Sequence, residues 1–174
     1  FEADLRTQNL TAVKGLMPAS LRQTIDIPNG LAARGTADFQ ADDYKAQLRV
    51  QAPGGTLQAK ATLNLRGESY RLAAQAARFP VHRFVKDMPL SPFTGQLRIS
   101  GHGLDVMSPR SSLTADARID QLAYSTYNLS GTSLQAQLRG GRLQADFAAD
   151  NNWLEASGQL AGLLSHKGYD LQLR

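Results

Sequence analysis

The side chains able to do chemistry are few and scattered. There are three histidines, His82, His102 and His166. None has a second His, Asp or Glu at ligand spacing, so they do not read as a metal centre. Cysteine is absent, which removes disulfides, zinc–thiolate sites and thiol nucleophiles. Asp42-Asp43 is an adjacent acidic pair, but acids in such a place favour turn geometry, and no partner group makes them an acid–base couple. Gly101-His102-Gly103 lacks the third glycine and the following helix of a dinucleotide fingerprint, and reads as a loop between strands. No nucleophile elbow or phosphate loop is present. Asn9-Leu10-Thr11 and Asn128-Leu129-Ser130 match the glycosylation sequon, a pattern common by chance. Trp153 and the tyrosines read as packing residues. The expectation is a protein with no catalytic residues, no metal and no cofactor.

What the residues do carry is a pattern. Apolar and polar residues alternate with period two along most of the chain, the signature of half-buried strands. Leu31, Ala33, Gly35, Ala37 and Phe39 form the first clear series, and Tyr44, Ala46, Leu48, Val50 and Ala52 the next, after a turn at 41–43. Pro53-Gly54-Gly55 is a turn signal, followed by Leu57, Ala59, Ala61, Leu63 and Leu65. Gly67-Glu68 turns into Tyr70, Leu72, Ala74 and Ala76. Further series are Phe93 to Ile99, Leu113 to Ile119, Leu143 to Ala149, Leu154 to Leu160 and Tyr169 to Leu173. Tyr127 and Leu129 read with Leu134, Ala136 and Leu138, with a slip of phase near Gly131 that predicts a bulge or tight bend. Gly140-Gly141 predicts a two-residue hairpin turn. Helical spacing appears twice: Thr7 to Leu21, through Leu10, Val13 and Met17, and Phe79 to Leu90, closed by Pro89.

The 174 residues suit one domain, or a slice of something longer. Hydrophobic residues at 42% and charged residues at 20% exclude wholesale disorder. The net charge of +4 is spread singly along the strands, at Arg34, Lys45, Arg49, Lys60 and Arg71 among others. A nucleic-acid binder would cluster such charges and interleave aromatics, so no nucleic-acid partner is expected. No apolar run approaches the roughly 18 residues of a membrane helix. Both ends read as cut, since Phe1 and Arg174 each lie in strand-like sequence. An imperfect echo relates the stretch 1–66 to 70–139, each with a strand, a helical turn ending Met-Pro and a Gly-bearing strand; hairpins fill 140–174. The whole is therefore expected to be one fragment of a longer repetitive β-structure.

About ten one-faced strands and two short helical segments leave an apolar face larger than its lids. Exposed, such a face would aggregate, so the sheet must curl, pair with a second sheet or hold something apolar. Alanine takes nearly every other inward position, where a sandwich core packed to crystal density would want larger side chains. Composition leaves two solutions open: an apolar trough that takes a guest such as an acyl chain, or two closely packed alanine-rich sheets. The expected fold is mainly β, an elongated, curled antiparallel or mixed sheet with one or two short helices. The residues expected to line a trough are Leu48, Val50, Leu57, Leu63, Leu65, Leu72, Leu97, Ile99, Leu113, Ile119, Leu138 and Phe147. An enzyme acting on glycans would need paired carboxylates facing inward, and those positions hold almost none.

The stretch from Met88-Pro89-Leu90-Ser91-Pro92-Phe93-Thr94-Gly95, through Gly101-His102-Gly103-Leu104-Asp105, Ser108-Pro109-Arg110 and Ala115-Asp116-Ala117-Arg118-Ile119-Asp120, to Tyr127-Asn128-Leu129-Ser130-Gly131, resembles the repetitive region of the TamB (translocation and assembly module subunit) / AsmA-like family, in its Bacteroides-type members. Gly140-Gly141-Arg142-Leu143 and the cadence of Met17 to Phe39 are similar. The likeness is one of cadence and has no catalytic signature to carry over. It implies a β-taco-like trough with an apolar lining, in the periplasm of a Gram-negative bacterium, within a protein anchored in the inner membrane. It implies phospholipid acyl chains or nascent outer-membrane β-strands as cargo. An Omp85-type outer-membrane barrel is the implied partner, met through other regions. The alternative to such a conduit is a structural β-solenoid or adhesin-like spacer with a filled core and no cargo.

Overall fold

The computed structural model describes residues 2–7, 30–84, 89–105, 108–151, 155–165 and 168–173. Alternation of apolar and polar residues becomes strand wherever a turn residue bounds it. The strands are β1 (Glu2–Thr7), β2 (Leu31–Gln40), β3 (Asp43–Ala52), β4 (Gly55–Asn64), β5 (Ser69–Phe79), β6 (Phe93–His102), β7 (Ser112–Gln121), β8 (Ala123–Tyr124), β9 (Tyr127–Asn128), β10 (Thr132–Arg139), β11 (Arg142–Asp150), β12 (Glu155–Ser165) and β13 (Gly168–Leu173). Eleven of them form one sheet in the order β1-β2-β3-β4-β5-β6-β7-β10-β11-β12-β13, and β8 and β9 make a separate small hairpin. Every pairing is antiparallel. The expected mainly-β fold is therefore present, with the parallel component of a mixed sheet absent among the described strands.

The turns follow their chemistry. Gly140 and Gly141 both have positive φ, 56° and 78°, as a primed hairpin turn requires and as glycine permits without steric cost. At the other end of the strands, β5 and β6 are joined by 80–92, which holds a 3-10 turn at Val81–Arg83. Of the second expected helix, Phe79 belongs to β5, Val81–Arg83 form this 3-10 turn, and 85–88, with Met88, lie outside the described residues. Of the first expected helix, Thr7 ends β1, and 8–21 lie outside the described residues, as do Trp153 and His166.

Two local irregularities set the phase of the sheet. The register slips between Ala76 and Phe79, with Arg78 in the left-handed region at φ 50°. This bulge adds a residue, so Phe79 turns to the face that Ala76 already occupies. The second irregularity corrects an expectation. Tyr127 does not run on into Leu134: of the bulge or tight bend expected near Gly131, the chain makes the bend. Tyr127 pairs with Tyr124 in the β8–β9 hairpin, and β10 begins afresh at Thr132 after Gly131, whose φ is 73°.

The strand pairs with several close backbone contacts are neighbours in the main sheet or in the β8–β9 hairpin. Most of the apolar positions along the middle of the strands stay half-buried or exposed, with Leu48 44% and Leu134 40% exposed. The chain exposes 12188 Å², against about 8,300 Å² for a compact protein of its 18.9 kDa mass. No side chain among the described residues is wholly buried.

Candidate functional site

The register gathers the inward residues of every strand onto one face. One row across the strands reads Gly35, Leu48, Ala59, Ala74, Leu97, Ala117, Leu134, Phe147 and Gly158. The row beside it reads Ala37, Ala46, Ala61, Leu72, Ile99, Ala115, Ala136, Ala145 and Leu160. These two rows are dominated by small residues and form a low floor. A third row, Phe39, Tyr44, Leu63, Tyr70, Gly101, Leu113, Leu138 and Leu143, is bulky and walls one side. No charged side chain occupies any of these positions.

The other side is covered. Leu31, Val50, Ala52, Ala76 and Phe79 are buried together, with Ala33, Leu57, Val81, Phe84 and Phe93 packed against them. Phe84, just past the 3-10 turn, stacks on Phe79 at 4.9 Å between ring centroids and 20° between planes. The 80–92 connection is tied to the β8–β9 hairpin by a bridge between Leu90 and Tyr124. The Ser91 N–H donates to the Ala123 carbonyl at 2.9 Å, and the Ser125 N–H to the Pro89 carbonyl at 2.7 Å. Asn151 extends the chain of ties by donating to the Ser130 carbonyl at 2.7 Å. The long connections on this end thus form one linked flange along the rim of the apolar face.

Of the residues expected to line a trough, Leu48, Val50, Leu57, Leu63, Leu72, Leu97, Ile99, Leu113, Ile119, Leu138 and Phe147 lie on this single face. Leu65 does not lie on a strand. It sits in the turn after β4, where its N–H donates to the Asp42 carbonyl. Val50 belongs to the covered cluster, Leu138 is buried, and Leu48 remains 44% exposed. The rest are half-buried. Sequence reasoning passed over Phe79, Phe84 and Leu134. Phe79 and Phe84 were read into the helical segment 79–90, the first because the bulge before it breaks period two. Leu134, 40% exposed, was in plain alternation.

Glycine lets the bulky wall lie flat. A Cβ on Gly101 would collide with the ring of its cross-strand partner Tyr70 and stand 2.7 Å from the Ser112 carbonyl oxygen. The ring therefore covers the bare strand, as aromatics do over sheet glycines. The Tyr70 hydroxyl is buried without a hydrogen-bond partner.

The opposite face is polar and uneven in charge. On β2 to β6, Arg34, Lys45, Arg49, Lys60, Arg71 and Arg98 outnumber Asp38 and Asp43, and on β7 to β12, Asp116, Asp120, Asp146, Asp150 and Glu155 outnumber Arg118, Arg139 and Arg142. Hollows on this face include one of about 650 Å³ edged by Lys45, Asn64, Ser69, Arg71 and Thr114. Among the described residues no group of His, Asp and Glu gathers as a metal site, and His82 and His102 are exposed and apart. No described helix is long and apolar enough to cross a membrane. No family model, curated protein or solved structure matches the chain.

Proposed function

We propose that this chain is a periplasmic segment of a TamB/AsmA-like envelope protein whose apolar face carries phospholipid acyl chains between the inner and outer membranes, or shelters nascent outer-membrane β-strands. The observation that carries the reading is the one-faced apolar surface running across the sheet from β2 to β12, walled on one side by Leu63 and Leu113 and on the other by the Phe79–Phe84 flange, with no second layer over its floor. Eight strand spacings of about 4.8 Å make a track of roughly 38 Å. That exceeds an acyl chain, which spans about half of a 30 Å hydrocarbon core. Small floor residues leave room for such a guest, and burying it offsets the cost of apolar surface left in water. A spacer with a filled core would need a second layer, and the described strands supply none.

The test is a photo-crosslinking amino acid placed at Leu63 or Ile99 in the full-length protein in cells. Lipid or nascent-barrel adducts at these sites, and none at Gln135 or Gln144 on the polar face of β10 and β11, support the conduit. Adducts confined to the polar face, or none at Leu63 and Ile99, overturn it.

A further inference from the structure

A second surface stands apart from the apolar one. Along the sequence the basic residues are isolated, yet the register brings six of them onto five adjacent strands of the polar face. Arg34 lies directly opposite Arg49. Lys60 and Arg98 both face Ala73, and Lys45 and Arg71 both face Thr62. Three short rows of cations result, two residues apart along the strands. They span about 19 Å across the strands and about 13 Å along them. All six side chains are exposed, and Lys45, Arg49, Lys60, Arg71 and Arg98 make no ion pair among the described residues. Two hollows join the rows: one of about 340 Å³ is edged by Arg34, Arg49 and Lys60, the other of about 530 Å³ by Lys60, Arg71 and Arg98, with Asp116 at its far edge.

Arg34 and Arg49 set like charges directly opposite, which is unfavourable, while Asp38 faces Lys45 and Asp116 faces Arg98; on β2 to β6 the six cations still outnumber Asp38 and Asp43. The field of this array favours an anion spread over a comparable area. No aromatic residue stands on this face between β2 and β6, since Phe39, Tyr44 and Tyr70 all belong to the other. Bases would have nothing to stack on, which disfavours single-stranded nucleic acid. A broad, shallow cationic surface fits closely spaced phosphates on a plane. We propose that the polar face of β2–β6 docks on the headgroups of an anionic phospholipid bilayer, independently of what the apolar face carries.

Flotation with vesicles of phosphatidylcholine alone, and of phosphatidylcholine mixed with phosphatidylglycerol, tests this. Binding is expected only to the anionic vesicles and is lost at high salt. Each cation near such a surface contributes about a fivefold factor in partitioning. The variant Arg49→Gln/Lys60→Gln/Arg98→Gln should therefore bind roughly 100-fold more weakly, while Arg139→Gln/Arg142→Gln, on the acidic half, should stay near the parent. Circular dichroism of both variants shows that the sheet is retained. Equal binding to neutral vesicles would assign the contact to the apolar face and overturn the proposal. So would unchanged binding of the triple variant, or displacement from vesicles by single-stranded DNA at equal phosphate.

Discussion

The flange over one rim of the apolar face makes a quantitative prediction. Phe79 is 7% exposed, lies within the buried cluster and stacks on Phe84. Phe79→Ala removes a buried ring and leaves a void that a single-layer sheet closes in part. Core Phe→Ala changes cost about 3–5 kcal/mol, and the lower part of that range, about 3–4 kcal/mol, applies where one side is open. Leu48 is 44% exposed, so Leu48→Ala forfeits about half the value of three carbon groups, near 1.3 kcal/mol. Hydrogen exchange by mass spectrometry reads these costs as local opening. For Phe79→Ala, amides of β4, β5 and β6 should exchange roughly 150- to 700-fold faster. For Leu48→Ala, amides of β3 and β4 should exchange only about tenfold faster. Equal effects of the two changes, or a smaller effect at Phe79, would show that the 80–92 connection does not cap the face and would refute the reasoning.

Ala61→Phe sits on the open floor, so it should leave the urea midpoint within about 0.5 kcal/mol of the parent while lowering lipid crosslinking at Ile99 several-fold. Gly101→Val should cost about 2–3 kcal/mol, read by chemical denaturation, because its side chain meets the Tyr70 ring and the Ser112 carbonyl. Adding Tyr70→Ala should recover part of that loss and no more, since the carbonyl stays. Arg49→Glu turns the like-charged pair with Arg34 into an opposite one, and should raise stability by about 0.5–1 kcal/mol, a gain that shrinks in thermal scans at high salt.

The sequence was legible where one rule acted alone. Alternation and turn residues placed β2 to β7 and β11 within about three residues, because most of these strands are bounded by Gly, Pro or Asp and each carries a single apolar face. It placed Phe79 in a helical segment because the bulge at Arg78 breaks the period-two pattern just before it, although the strand runs on to Phe79. It joined Tyr127 to Leu134 because both belong to alternating runs; the β8–β9 hairpin depends on contacts with 89–91, more than thirty residues earlier, as in the Ala123 N–H bond to the Ser91 hydroxyl. The cation array was invisible for a related reason. Arg34, Arg49 and Lys60 look scattered until the meander register folds those intervals into adjacent rows.

That register has a further consequence, for how the molecule comes to be folded. Each inner strand of the main sheet pairs with the main-sheet strands just before and after it in the chain, so few pairings wait for a distant segment. Most closures span only a tight turn, and the entropy lost in each is small. Low separation of contacting residues favours fast, progressive folding. The β2–β3 hairpin can offer its open edge to β4, β4 to β5, and so onward as the chain emerges. Such a sheet grows like a ladder, rung by rung, and damage at one rung is felt mainly by its neighbours.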